Sequence, residues 1–242
     1  MSVEGKLVVI AGATNVSGVA AVRHFTSAGA RVIAVGRDPD KLDELLRGGA
    51  GFAGDGSGVF EDGAVGSVRS EVCDLTDESA VARLTQRVHD VDGTVDGVLH
   101  LVGGWRGGGG LAGQSDEDFR FLEGSFTALR HVSRAFDADL RGSDAGRLAV
   151  VSSTAVARPL AGGANYAAVK AATEAWTRAV AQGFAQDARD GGRELNAASV
   201  IFRVKALEGL EPELARRFAE LWELPASDIN DTSIELAQIG HP

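Results

Sequence analysis

The stretch Lys6-Leu-Val-Val-Ile-Ala-Gly12-Ala-Thr-Asn-Val16-Ser-Gly18 decides the fold. The uncharged apolar run Leu7–Ala11 reads as a strand buried on both faces. Gly12 ends it at once. From Val16 the spacing changes, with Val19, Val22 and Phe25 at helical intervals up to Gly29. Strand, glycine turn and helix open a parallel β-α-β unit. The alternation continues: further strands are predicted at Arg31–Val35, Ser70–Cys73, Val95–Val102, Arg147–Ser152, Asn196–Phe202 and Ser233–Leu236. Helices are predicted at Val16–Ala28, from Asp38 and Pro39 onward, and at Asp77–Val91. Others follow from Ser115 to about Leu140, at Asn165–Ala188 and at Glu211–Leu221. In the long one, Phe119, Leu122, Phe126, Leu129, Val132 and Phe136 are expected to face inward. The class is therefore α/β: a doubly wound parallel sheet with helices on both faces, in one domain over residues 1–242. A glycine-rich flexible loop is expected over 48–68, and no linker divides the chain.

Composition narrows the function. Lys and Arg number 24 and Asp and Glu 34, a formal charge of −10, which argues against nucleic acid or anionic membrane as a partner. Glycine is 32 of 242 residues, about 13% against a typical ~7%, and it gathers in loops rather than at a fixed period. Cys73 is the single cysteine, and His24, His89, His100, His131 and His241 are scattered, so neither a disulfide scaffold nor a zinc site fits. No run of about 18 apolar residues predicts a membrane span, and Leu7–Ala11 is too short for a signal-peptide core. The expected location is cytoplasmic.

Two places carry chemistry. At the first turn, Gly12 and Gly18 put free backbone N–H groups and a helix N-terminus where a pyrophosphate would sit. The second strand ends Ala34-Val35-Gly36-Arg37, with no acidic residue for a ribose hydroxyl. The Arg37 guanidinium suits a 2′-phosphate instead, favouring NADP(H) over NAD(H); the plain alternative is an exposed arginine that aids solubility. In Tyr166-Ala-Ala-Val-Lys170, a phenol and an ammonium share one helix face. A nearby cation stabilises phenolate, so the tyrosine can exchange a proton during carbonyl chemistry. Thirteen residues earlier, Ser153 stands at the C-terminal end of a predicted strand, where an open α/β sheet keeps its chemistry.

Together these residues resemble the short-chain dehydrogenase/reductase family over nearly the whole chain. The resemblance rests on the Gly12–Gly18 turn, Asp74 after the third strand, the pair Gly103-Gly104 after the fourth, Ser153, and Tyr166 with Lys170. It implies a Rossmann-type sheet, a nicotinamide dinucleotide and hydride transfer. It assigns Tyr166 as general acid/base, Lys170 to lower its pKa and hold the nicotinamide ribose, and Ser153 to hold the substrate oxygen. Asp74 is similar to the family aspartate at the adenine. Thr14, Asn15 and Val16 with the two turn glycines, and Val102 with Gly103 and Gly104, complete the expected cofactor wall.

Four departures stand out. Val16 replaces the middle glycine and crowds the phosphates, and Leu101-Val-Gly-Gly104 replaces N-N-A-G. Ser125 stands where the family has an asparagine supporting a proton-relay water, and is the fourth candidate catalytic residue. After the sixth strand Pro-Gly is missing, and the substrate-lid region, 203–225, is short. Val102-Gly-Gly-Trp105-Arg-Gly-Gly108 resembles the V-A-G-G-W-x-G-G stretch of dihydropteridine reductases, which also resemble this chain in having serine at the position of Ser125. Trp105 then stacks on a flat or conjugated substrate, or packs the loop on the core.

The leading expectation is an NADPH-dependent reductase of a carbonyl or conjugated C=N or C=C acceptor, with a small-molecule substrate. Alternatives are the same fold binding a nucleotide or partner without turnover, and non-redox chemistry at the same site. The alanines Ala167, Ala168, Ala171, Ala172, Ala175 and Ala179 allow close helix packing, and with Trp222 they suggest a homodimer or homotetramer interface. His100 reads as a satisfied core histidine and Cys73 as a small buried hydrophobe.

Overall fold

The computed structural model describes residues 2–47 and 66–237. Seven strands, β1 (Leu7–Ala11), β2 (Arg31–Gly36), β3 (Ser67–Val72), β4 (Gly97–His100), β5 (Arg147–Ser153), β6 (Ala198–Val204) and β7 (Ser233–Glu235), form one sheet. Their order is β3-β2-β1-β4-β5-β6-β7, and every pairing is parallel. The order reverses between β1 and β4, where Val9 faces Val98 and Ala11 faces His100. Such a switch point opens a crevice beyond the strands' C-terminal ends.

Eight α-helices, α1 (Val16–Ser27), α2 (Pro39–Arg47), α3 (Glu78–Val91), α4 (Asp116–Ala135), α5 (Asp137–Gly142), α6 (Ala164–Asp190), α7 (Glu211–Glu220) and α8 (Ala226–Ile229), complete the described residues. Alternate residues of β1 feed two core layers. Val8 and Ile10 pack with Phe25, Phe218 and Trp222, whereas Leu7 and Val9 pack with Leu84, Val132, Phe136 and Phe184. The Phe218 and Trp222 rings lie 5.1 Å apart. Gly97 leaves room for the indole, since a Cβ there would stand 2.6 Å from it. Trp222 is only 1% exposed, which corrects its assignment as an interface anchor.

Other boundaries differ for physical reasons. β3 begins at Ser67, three residues before the expected start, because its alternate polar residues are satisfied sideways: Glu71 pairs with Arg69 and Arg87, and Arg69 with Asp92. Of the loop expected over 48–68, residues 48–65 lie outside the described residues, and Ser67 and Val68 belong to β3. The single long helix is two, broken at Phe136, whose ψ of 10° is not helical. The break lets Phe136 and Leu140 both bury, while Asp139 accepts the Val95 N–H at 2.9 Å. Phe119 is exposed rather than inward, on the first turn of α4.

Arg147 anchors the opposite end of the sheet from the crevice. It is 3% exposed and meets no carboxylate among the described residues. Its guanidinium donates to the carbonyls of Leu221, Gly146, Asn196 and Leu224 at 2.8–3.0 Å, and burial lowers its pKa to about 10. Arg147→Met keeps the stem but removes a donor from four carbonyls, of which those of Gly146 and Leu221 still accept a backbone N–H. A loss of about 2–3 kcal/mol in unfolding free energy is expected by chemical denaturation, since each buried orphan costs about 1–3 kcal/mol and water reaches some of them. A change under about 0.5 kcal/mol, the usual size for a surface substitution, would remove the anchoring role.

Candidate active site

The turn after β1 is built around two glycines. Gly12 has φ +93° and would place a Cβ 2.9 Å from the Leu101 carbonyl carbon. A Cβ on Gly18 would stand 2.3 Å from the Gly12 oxygen and 2.6 Å from Ala13. Asn15 caps α1: its Oδ1 accepts the Gly18 N–H at 2.8 Å, and its Nδ2 donates to the Leu101 carbonyl at 2.9 Å. That amide therefore joins the turn to the end of β4. The other N–H groups of the first turn point out of the helix end, a natural anion seat.

Two cavities meet at this turn. One, of about 530 Å³, is lined by Gly12, Thr14, Gly36, Arg37, Asp74 and Thr76. Arg37 is exposed, and its charge contributes to holding the Asp74 carboxyl below the usual range, after the hydrogen bonds from Thr76. Those bonds, from the Thr76 N–H at 3.0 Å and hydroxyl at 2.7 Å, also fix the Asp74 rotamer. The second cavity, of about 750 Å³, is lined by Val16, His100, Trp105, Ser153, Tyr166 and Lys170, among others. Asn15, Val102 and Gly103 border both, so one crevice runs from Arg37 to Tyr166. Gly104 also lines the larger cavity, against Phe121. Val16 is 73% exposed and sits at that cavity's mouth, leaving the crevice open. Trp105 is 63% exposed, so it lines the cavity instead of packing on the core. Lys205, Leu207 and Glu208, at the start of the short 203–225 segment, form part of the wall.

The chemical groups converge from β5 and α6. Ser153 ends β5, accepts the Ala155 N–H at 3.1 Å and lines the same cavity wall as the Tyr166 phenol. Lys170 lies one turn along α6 from Tyr166, with its ammonium 5.8 Å from the phenol ring's centre. It donates to the Val151 carbonyl at 2.7 Å. Burial lowers its pKa to about 8, against a smaller raising effect of Glu174. Burial raises the Tyr166 pKa, and the Ser153 hydrogen bond opposes that rise. Ser153 lowers the phenol's pKa against burial, while the Lys170 ammonium is bonded to the Val151 carbonyl of the strand. Glu174 is buried behind Lys170, accepting from Ser152 and Arg203 at 2.8 Å each.

Ser125 lies beside the site, but its hydroxyl donates to the Leu122 carbonyl at 2.6 Å within α4. Its own carbonyl receives His100 Nε2 at 3.0 Å. The serine hydroxyl is thereby committed to its helix. His100, read as satisfied, is only half so: Nδ1 is buried without a partner among the described residues. Cys73 is buried as expected, and its thiol pKa rises to about 11 through burial.

The residues fit a dinucleotide: a glycine-walled turn at a helix N-terminus, a cationic side chain at one end of the crevice, and a phenol–hydroxyl–ammonium set at the other. Residues 6–188 match the family model described as short chain dehydrogenase. The chain is 29% identical over 181 residues to a 2,3-dihydro-2,3-dihydroxybenzoate dehydrogenase of Bacillus subtilis, a match covering 73% of this chain and 63% of that protein. In fold it is similar to a metagenomic short-chain oxidoreductase solved with NADP, at TM-score 0.79 and 22% identity, covering 98% and 99% of the two chains. It is likewise similar to an NAD+-bound xylitol dehydrogenase, at TM-score 0.80 and 18% identity, with the same shares covered.

Proposed function

The chain belongs to the short-chain dehydrogenase family, and from that premise we propose that it is an NADPH-dependent reductase of a small carbonyl or conjugated C=N or C=C acceptor. The observation that carries this reading is that Ser153, Tyr166 and Lys170 line one wall of a cavity continuous with the glycine turn. A reduced nicotinamide dinucleotide held by the glycine turn and this crevice would supply the hydride. Tyr166 gives its phenolic proton to the acceptor oxygen or nitrogen as charge develops there. Its raised pKa keeps that proton in place at neutral pH. Ser153 orients the acceptor atom, and Lys170, cationic below about pH 8, holds the phenolate charge left behind. The exposed faces of Trp105 and Leu160 favour a flat, conjugated substrate. The exposed Ala168, Ala171, Ala175 and Ala179 support a homodimer or homotetramer formed through α6.

The test is oxidation of NADPH with a panel of ketones, quinones and cyclic imines, paired with fluorescence titration of the nucleotides. Turnover with at least one acceptor is expected, and binding without turnover across the panel would favour a nucleotide-binding protein. The preference for NADPH rests on Arg37. Arg37→Ala is expected to weaken NADPH by about tenfold to a hundredfold, the worth of a charge-assisted hydrogen bond, and to leave NADH within about threefold. Equal loss for both would remove Arg37 from the 2′-phosphate.

A further inference from the structure

His100 is the buried polar group that the proposed reaction leaves unused. It is 4% exposed at the C-terminal end of β4 and lines the same cavity as Tyr166 and Lys170. Its protonation follows from its partner. The Ser125 carbonyl can only accept, so His100 Nε2 carries the proton. A neutral imidazole has one such proton, so Nδ1 is bare and able only to accept. Nδ1 has no partner among the described residues, and a buried acceptor left alone is costly.

The nearby donor is Lys170. His100 is in register with Val150 of β5, and the Lys170 ammonium sits on the carbonyl of the next residue, Val151. Adjacent strands are about 4.8 Å apart, which brings imidazole and ammonium into one small volume. Gly103 borders it: a Cβ there would be 4.0 Å from Lys170 Nζ and 3.8 Å from Ser125 Cβ. An ammonium has three donors, and Val151 takes one. We propose that His100 is a positioning residue for Lys170, its bare Nδ1 accepting from the ammonium through one ordered water. His100 thereby takes up the Ser125 carbonyl and presents an acceptor of its own to the lysine. Burial first, and the lysine's charge second, lower the His100 pKa to about 3, so this acceptor stays neutral throughout the working range. The other titratable groups around the lysine are Tyr166 and Glu174 on α6, and the Glu174 charge is held by Arg203 of β6. Only the catalytic consequence rests on the reductase reading.

The first experiment needs no turnover. In ligand-free protein with 15N-labelled imidazoles, the His100 proton is expected on Nε2 from about pH 6 to about 10, across the lysine's transition. The Nδ1 resonance is expected to inflect near pH 8, where Lys170 titrates, and to lose that inflection in Lys170→Met. A proton on Nδ1, or a resonance indifferent to pH and to Lys170→Met, would overturn the proposal even in an active reductase. The second compares His100→Leu with His100→Gln, whose amide can both donate to Ser125 and accept from Lys170. Leucine is expected to lower kcat about tenfold with KM little changed, and to move the alkaline limb of the pH profile downward. Glutamine is expected to restore most of both. Equal losses in the two variants with an unmoved limb would reduce His100 to a packing residue.

Discussion

Tyr166→Phe is expected to lower kcat by about a hundredfold to ten-thousandfold, the range for removing a positioned general acid. The substitution deletes one oxygen and keeps the ring. Nucleotide affinity should stay within about twofold, and folding free energy should change by less than about 1 kcal/mol, because the phenol's partner, Ser153, keeps its bond from the Ala155 N–H. The pH dependence of the wild-type protein belongs to the same prediction. Lys170 is partly buried and its pKa is lowered to about 8 by desolvation, so it is cationic below that pH and neutral above. Turnover should therefore decline as pH rises through about 8, with the phenol still protonated. Steady-state kinetics for both proteins across that range check it. A phenylalanine variant with undiminished kcat would move the acid role away from Tyr166.

Gly18→Ala carries the second large effect. The added carbon would lie 2.3 Å from the Gly12 oxygen and 2.6 Å from Ala13, all backbone, so no side chain can swing aside. The start of α1 must move away from the turn. That breaks the Asn15–Gly18 cap and withdraws the first-turn N–H groups from the phosphate seat. Overpacking of this kind costs about 1–3 kcal/mol or more, and here the strain falls on the binding loop itself. A loss of at least about a hundredfold in NADPH affinity is expected, with a lower midpoint of thermal unfolding. Fluorescence titration and calorimetry read the two effects separately. Binding unchanged within about twofold would show that the phosphates sit elsewhere.

The fold was legible where pattern and burial coincide. Leu7–Ala11 is apolar because both its faces are covered, and α1 shows its period because one face meets the sheet. Tyr166 and Lys170 were legible as a pair because four residues make one helical turn. β3 was partly hidden because its residues are satisfied by ion pairs, which leave no apolar run to read. The break at Phe136 was hidden because Phe136 and Leu140 keep helical spacing on either side of it. Trp222 and Arg147 depend on contacts across the fold: an aromatic cluster made by α1 and α7, and four carbonyls from distant segments. The same holds at the site. That the Ser125 hydroxyl turns back to Leu122 and that His100 takes its carbonyl are facts of geometry with no local signal. The one available hint was a histidine inside an otherwise apolar strand.

Crystals grown with NADPH and solved at a resolution that shows the nicotinamide carboxamide test the account most directly. The 2′-phosphate is expected against Arg37, the pyrophosphate at the Gly12–Gly18 turn, and the nicotinamide ring in the cavity shared by Tyr166, Ser153 and Lys170. A dinucleotide that leaves this crevice empty, or a ring lying outside the Tyr166 cavity, would contradict it.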